Sequence, residues 1–182
     1  MQVSIAAVIS KYNIHHIPYI LDIAKRYKVG VHFQPVDQSL SANSQKDIRL
    51  LFGPNENDYK KAITFLIRKK SNGYKFIESS LDGLKHLYHW PHPRKISCLA
   101  SLLSCVIEPD GKIFICDMFP AYQKYLVPIS ESFKKSFNSL SLPYHCQGCW
   151  SGLTVEFNLL RSFKLRAAIG IWNILRLSLI HI

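Results

Sequence analysis

With 182 residues, 48% of them apolar, the chain is long and hydrophobic enough to bury a medium-sized core, which excludes a disordered, collagen-like or low-complexity polymer. The formal charge is +11, but the basic residues lie in scattered groups such as Lys25-Arg26, Lys60-Lys61, Arg68 to Lys70 and Lys134-Lys135. Without a helix-turn-helix pattern or a basic segment interleaved with aromatics, these read as solvated helix faces, and no specific nucleic-acid binding is expected.

The first element is the apolar run from Val3 to Ile9, rich in β-branched residues and expected to be a strand buried on both faces of a parallel sheet. Asn13 is placed to cap a helix in which Ile14, Ile17, Leu21, Ala24 and Tyr27 recur at helical spacing, with Pro18 in its first turns and Gly30 as its stop. A second strand from Val31 to Val36 completes a strand–helix–strand unit with a parallel crossover. The polar stretch from Asp37 to Asn57 leaves the C-terminal end of that strand, where α/β folds place ligand loops; a lid and a disordered connection are both open readings.

A helix is expected from about Asp58 to Lys70, stopping at Asn72-Gly73, and Tyr74 to Ile77 reads as a short third strand. Ser79 with Asp82 three residues on forms a capping box for a helix ending near Trp90. Pro91-His92-Pro93 breaks the chain, and the domain boundary is placed there. His15-His16 is read as exposed, and His86, His89 and His92 as surface or domain-interface residues.

Beyond the boundary come a hairpin turning at Glu108-Pro109-Asp110-Gly111, a polar linker, a Cys-Gln-Gly-Cys-Trp segment and a basic apolar helix from about Val155. Arg161, Lys164 and Arg166 interrupt the apolar residues between 153 and 176, so no bilayer span is expected. That helix is expected to dock against strands absent from this sequence, with an interfacial membrane helix as the alternative.

Chemistry is concentrated in the cysteines. Met1 runs into Gln2-Val3-Ser4-Ile5 without a basic leader, so the five thiols are expected to be reduced in a cytoplasmic setting, where metal binding outranks a disulfide framework. Cys146 and Cys149 form a C-x-x-C knuckle, and Cys98 and Cys116 flank the hairpin, whose open end brings them together. Four thiolates suit zinc or an iron–sulfur cluster, and spacing alone does not separate the two. If Pro109 to Gly111 is the loop, Glu108 pairs with Lys112 and Ser104 with Cys116. Strand alternation then turns Cys105 to the opposite face with Ile107, Ile113 and Ile115, as a small core residue.

Cys98, the Ile107-Glu108-Pro109-Asp110-Gly111 hairpin, Cys116, Cys146-Gln147-Gly148-Cys149-Trp150 and Glu156-Phe157-Asn158 together resemble the SPASM or shorter twitch appendage of radical S-adenosylmethionine (SAM) enzymes. Val3 to Ile14 and Val31 to Val36 resemble the last strand–helix units of that family's partial (β/α)6 TIM-like barrel. The resemblance implies an α/β fold in three parts: residues 1–92 from the partial barrel, 93–160 as a small α+β auxiliary-cluster domain, and 161–182 as a C-terminal helix. Leu177 to Ile182 is similar to the translation of a sequencing adaptor and is expected to be a scar.

By that resemblance Cys98, Cys116, Cys146 and Cys149 hold an auxiliary 4Fe-4S cluster. Gln34 is the candidate polar residue of the SAM or substrate pocket, since Ala6 stands where the family often has a hydrogen-bonding side chain near the adenosine. The C-x-x-x-C-x-x-C loop that binds the primary 4Fe-4S cluster is not in this sequence. SAM cleavage is therefore expected of a longer parent, reduced by a partner such as ferredoxin or flavodoxin and acting on a peptide, sugar or nucleotide-like substrate, and this part alone is expected to be inactive. The rival reading is a zinc-binding four-cysteine module for protein or nucleic-acid interaction.

Overall fold

The computed structural model of the chain describes residues 3–36, 51–92, 96, 98–116, 126–129, 132–140 and 149–160. Residues 37–50 of the loop expected from Asp37 to Asn57, most of the linker after Cys116, Cys146 itself, and everything beyond residue 160, including the expected scar, lie outside the described residues.

The N-terminal part is a parallel α/β unit. Strand β1 (Ser4–Ile9) pairs in parallel with β2 (Gly30–Pro35), from Ser4 opposite Gly30 to Ile9 opposite Pro35. Helix α1 (Ile17–Tyr27) connects them after a 3-10 turn at Ile14–His16. Helix α2 (Glu56–Ser71) leads to Ile77, which bridges Val31 in parallel on the far side of β2. Val31 N–H donates to the Phe76 carbonyl at 2.7 Å, and Glu78 N–H donates to the Val31 carbonyl at 2.9 Å. Three parallel segments thus lie side by side in chain order, each joined to the next through a helix.

One face of this sheet carries the main core. Ala7, Ile9, Val31 and Phe33 pack with Ile17, Leu21 and Ala24 of α1 and with Tyr59, Ile63 and Leu66 of α2. The other face departs from the expectation of two buried sides. Ser4, Ala6 and Val8 are exposed, and Gly30, His32 and Gln34 are half-buried. Alternation along the strands sends these residues away from the helices, and no described residue covers the β1 half of their face.

Local capping also differs from expectation at three points. Asn13 makes no side-chain cap; its Oδ1 accepts the Ser10 N–H instead. Lys28, in the left-handed conformation at φ 56°, ends α1, and the Val29 N–H closes onto the Ala24 carbonyl at 3.0 Å. Gly30 therefore opens β2 rather than stopping the helix. A Cβ there would stand 1.9 Å from Glu78 Oε1, so glycine leaves room for the carboxyl that reaches the Ser4 hydroxyl. Helix α3 (Leu81–Leu87) is capped by Ser80, whose Oγ accepts the Gly83 N–H at 2.9 Å, one residue later than the Ser79 cap expected. Helix α2 begins just ahead of the expected Asp58: Asn55 accepts the Asp58 N–H, acids fill the first turn and Arg68, Lys69 and Lys70 the last.

The later part contains a short helix α4 (Ala100–Leu103) and an antiparallel sheet in the order β3 (Val106–Ile107), β4 (Lys112–Phe114), β5 (Val127–Pro128). Helices α5 (Phe133–Asn138) and α6 (Gly152–Leu160) follow. Val106 opposes Phe114, Ile107 opposes Ile113, and Glu108 N–H donates to the Lys112 carbonyl at 2.8 Å, which makes 109–111 the loop, as expected. The β5 strand was not foreseen; it falls in the stretch read as a polar linker.

Gly111 has φ +79°, a conformation that an L side chain adopts only at a cost. Open space surrounds it, so Gly111→Ala meets no clash. The expected loss is about 1–2 kcal/mol from backbone strain alone, read by urea unfolding. Unchanged stability would show that the turn relaxes to another type.

Candidate metal centre and its seam with the parallel unit

Cys98 precedes α4, and its Sγ accepts the Ala100 N–H at 3.4 Å. Amide-to-sulfur bonds of this kind favour the thiolate and tune a bound metal. Next to it, the Leu99 N–H donates to Asn158 Oδ1 of α6 at 2.8 Å. Asn158 is 2% exposed, and its Nδ2 has no hydrogen-bond partner among the described residues.

Cys98, Cys105 and Cys116 all pack against one small apolar cluster of Ala100, Ile113, Ile115 and Leu140. Hairpin parity therefore does not separate Cys105 from Cys116. The register behaves as expected through Phe114, but β4 ends there and the chain bends at Ile115. Alternation loses its meaning past a bend, so Cys116 reaches the same cluster as Cys105. Nor is Ile107 on a core face: it is 58% exposed, while Ile113 and Phe114 on opposite faces of the central strand are both buried. Desolvation raises the Cys105 thiol pKa, which favours its protonated form.

Cys149 lies in a separate cluster with Val155 and Leu159, against which Ile96 packs. Its carbonyl accepts from His86 Nε2 of α3 at 2.9 Å, which places the proton on Nε2 because a carbonyl only accepts. The His86 ring also lies against Trp150, centroids 5.3 Å apart. Of the four cysteines expected to ligate, the structure thus brings Cys98 and Cys116 to one apolar cluster, puts Cys149 in another, and Cys146 is outside the described residues. No group of three or more His, Cys, Asp or Glu side chains among the described residues is gathered for a metal ion.

Helix α6 joins this part to the parallel unit by packing on α3 and β2. Gly152 meets His32 so closely that a Cβ would stand 1.8 Å from Nε2. The other ring nitrogen of His32 lies 3.4 Å from Ser79 Oγ, and desolvation pushes the imidazole pKa down, favouring the neutral ring. Glu156 Oε1 accepts the Ser80 N–H at 2.8 Å. Gln34, the expected pocket residue, is half-buried on the open side of the sheet beside His32, with Val8 as its ladder partner.

Sequence reasoning placed His86 at the surface or a domain interface; it is 4% exposed and lies between α3 and the Cys149 segment. His15 and His16 are exposed, as expected. His32 had no sequence signal, and Glu156 and Asn158 entered only as part of a resemblance that assigned them no role, because each depends on a partner far away in the chain.

Compared with protein-family models, curated proteins and solved structures, the chain matches none. Among the described residues no helix is long and apolar enough to cross a membrane.

Proposed function

We propose that the chain is the C-terminal part of a radical SAM enzyme, in which Cys98, Cys116, Cys146 and Cys149 hold an auxiliary 4Fe-4S cluster. The observation that carries this reading is the convergence of Cys98 and Cys116 on one apolar cluster at the open end of an Asp-Gly hairpin, with an amide already directed at the Cys98 sulfur. Soft thiolate donors fit an iron–sulfur cluster, which when bound supplies one-electron transfer.

The parallel unit supports the same reading. Its segments follow one another in chain order, as in a barrel wall, with α1 and α2 packed on one face and α6 meeting the other face at His32. The open side carries Gln34, the proposed contact to SAM or to a peptide, sugar or nucleotide-like substrate. SAM cleavage belongs to a longer parent with a primary cluster, in a reducing compartment such as the cytoplasm, with ferredoxin or flavodoxin as the electron source.

A zinc-binding four-cysteine module is the second reading, favoured by the same Ala100 N–H bond to Cys98, a geometry that serves zinc-bound thiolates equally. Anaerobic reconstitution with iron and sulfide, followed by metal and sulfide analysis and visible absorbance, separates the two. The expected result is stoichiometric cluster uptake with a broad charge-transfer band. Stoichiometric zinc with no iron uptake would overturn the cluster.

A further inference from the structure

Glu156 lies within α6 and is 1% exposed, a rare position for a carboxyl group. Its Oε1 accepts the Ser80 N–H, while Oε2 is sealed from solvent with no hydrogen-bond partner among the described residues. Gly83 makes the seat possible, since a Cβ there would stand 2.0 Å from Oε1.

The charged groups around this seat do little to neutralise an anion. From α3, Asp82 opposes a second negative charge, and its nearest described cation, Lys85, is 3.9 Å away. From the end of α2, Lys70 attracts it, but Lys70 Nζ donates to the Ile77 carbonyl and is shared with Glu78. From β2 comes His32, whose burial favours the neutral ring. A buried carboxylate with one unpaired oxygen is strongly disfavoured, whereas the neutral acid still accepts the Ser80 N–H. Desolvation accordingly raises the Glu156 pKa, outweighing the opposing pull of Ser80 and Lys70.

We propose that Glu156 is a proton-operated latch: seated as the neutral acid it clamps α6, and with it the Cys149-Trp150 segment, onto α3, and its ionisation loosens that clamp. Because the folded group holds its proton more tightly than the unfolded one, its stabilising effect is fully present below the ordinary glutamate range. That effect is lost as pH rises through the folded pKa.

Hydrogen exchange of segment 152–160 in the full chain, between about pH 4 and pH 8, tests the latch. Glu156→Gln keeps the acceptor for Ser80 and cannot ionise. Wild type should match it at the acid end. Toward the alkaline end wild type should lose protection relative to it, by about tenfold for each unit that separates the folded pKa from the ordinary one. Equal protection in the two proteins across the range would overturn the latch. If Glu156→Gln does not fold, carboxyl 13C NMR titration of the wild type decides: a Glu156 midpoint above the ordinary glutamate range supports the latch, and one within or below that range overturns it.

Discussion

Replacing Cys149 with alanine is expected to reduce iron uptake on reconstitution to background. Partners that only orient a ligand are already worth roughly 10–100-fold in metal affinity, so loss of a ligand itself should exceed that range. Cys149 is buried, its carbonyl is held by His86, and Trp150 beside it packs on the same imidazole. The backbone should therefore stay in place in the variant, and unchanged α6 exchange would show that only the ligand was removed. Cys116→Ala is expected to behave alike. Cys105→Ala is the informative control, because Cys105 shares its apolar cluster with Cys98 and Cys116. Retention of the cluster in Cys105→Ala supports the proposed ligand set; loss there, with retention in Cys149→Ala, would move the fourth ligand to Cys105.

Phe33→Ala should cost about 3–5 kcal/mol, the range for truncating a buried aromatic side chain. Phe33 is fully buried in the middle of β2, the strand that pairs with β1 on one side and meets Ile77 on the other. Its ring belongs to the core shared with α1 and α2, so the cavity would open where both helices meet the sheet. Against a total stability on the order of 5–15 kcal/mol for a domain, such a loss is severe. A midpoint lowered by roughly 6–20 °C in thermal unfolding is the expected reading for a chain of this size. A shift of a degree or less would mean that neighbouring side chains collapse into the space. Val8→Ala, on the open side of the neighbouring strand and 42% exposed, is the contrasting substitution and should change little.

Local rules were sufficient where a residue's neighbours in sequence are also its partners in space. The spacing of Ile17, Leu21 and Ala24, the stop of α2 before Asn72-Gly73 and the three-residue loop ending in Gly111 are such cases, and each appears in the structure as read. Errors of one residue at caps have a local cause too. Asp82 three residues on makes Ser79 the stronger signal in the sequence, but in the structure Ser79 Oγ lies against His32 and Ser80 Oγ accepts the Gly83 N–H. The missed β5 has no local signal, since a strand of two residues is defined only by its pairing with β4.

Most of the candidate site depended on distant partners. The parallel strand–helix order, the hairpin register and the thiols on either side of it were legible from residue order, because periodicity, turn chemistry and residue type are properties of neighbouring positions. Tertiary structure decided which face of β1 is left open, that the bend at Ile115 brings Cys116 to the side of Cys105, and that Asn158, His86 and Glu156 hold segments 59, 63 and 76 residues away. These are contacts between groups that no local pattern links. A polar side chain leaves water only where a matching group meets it, and that meeting is set by how α6 packs on α3 and β2.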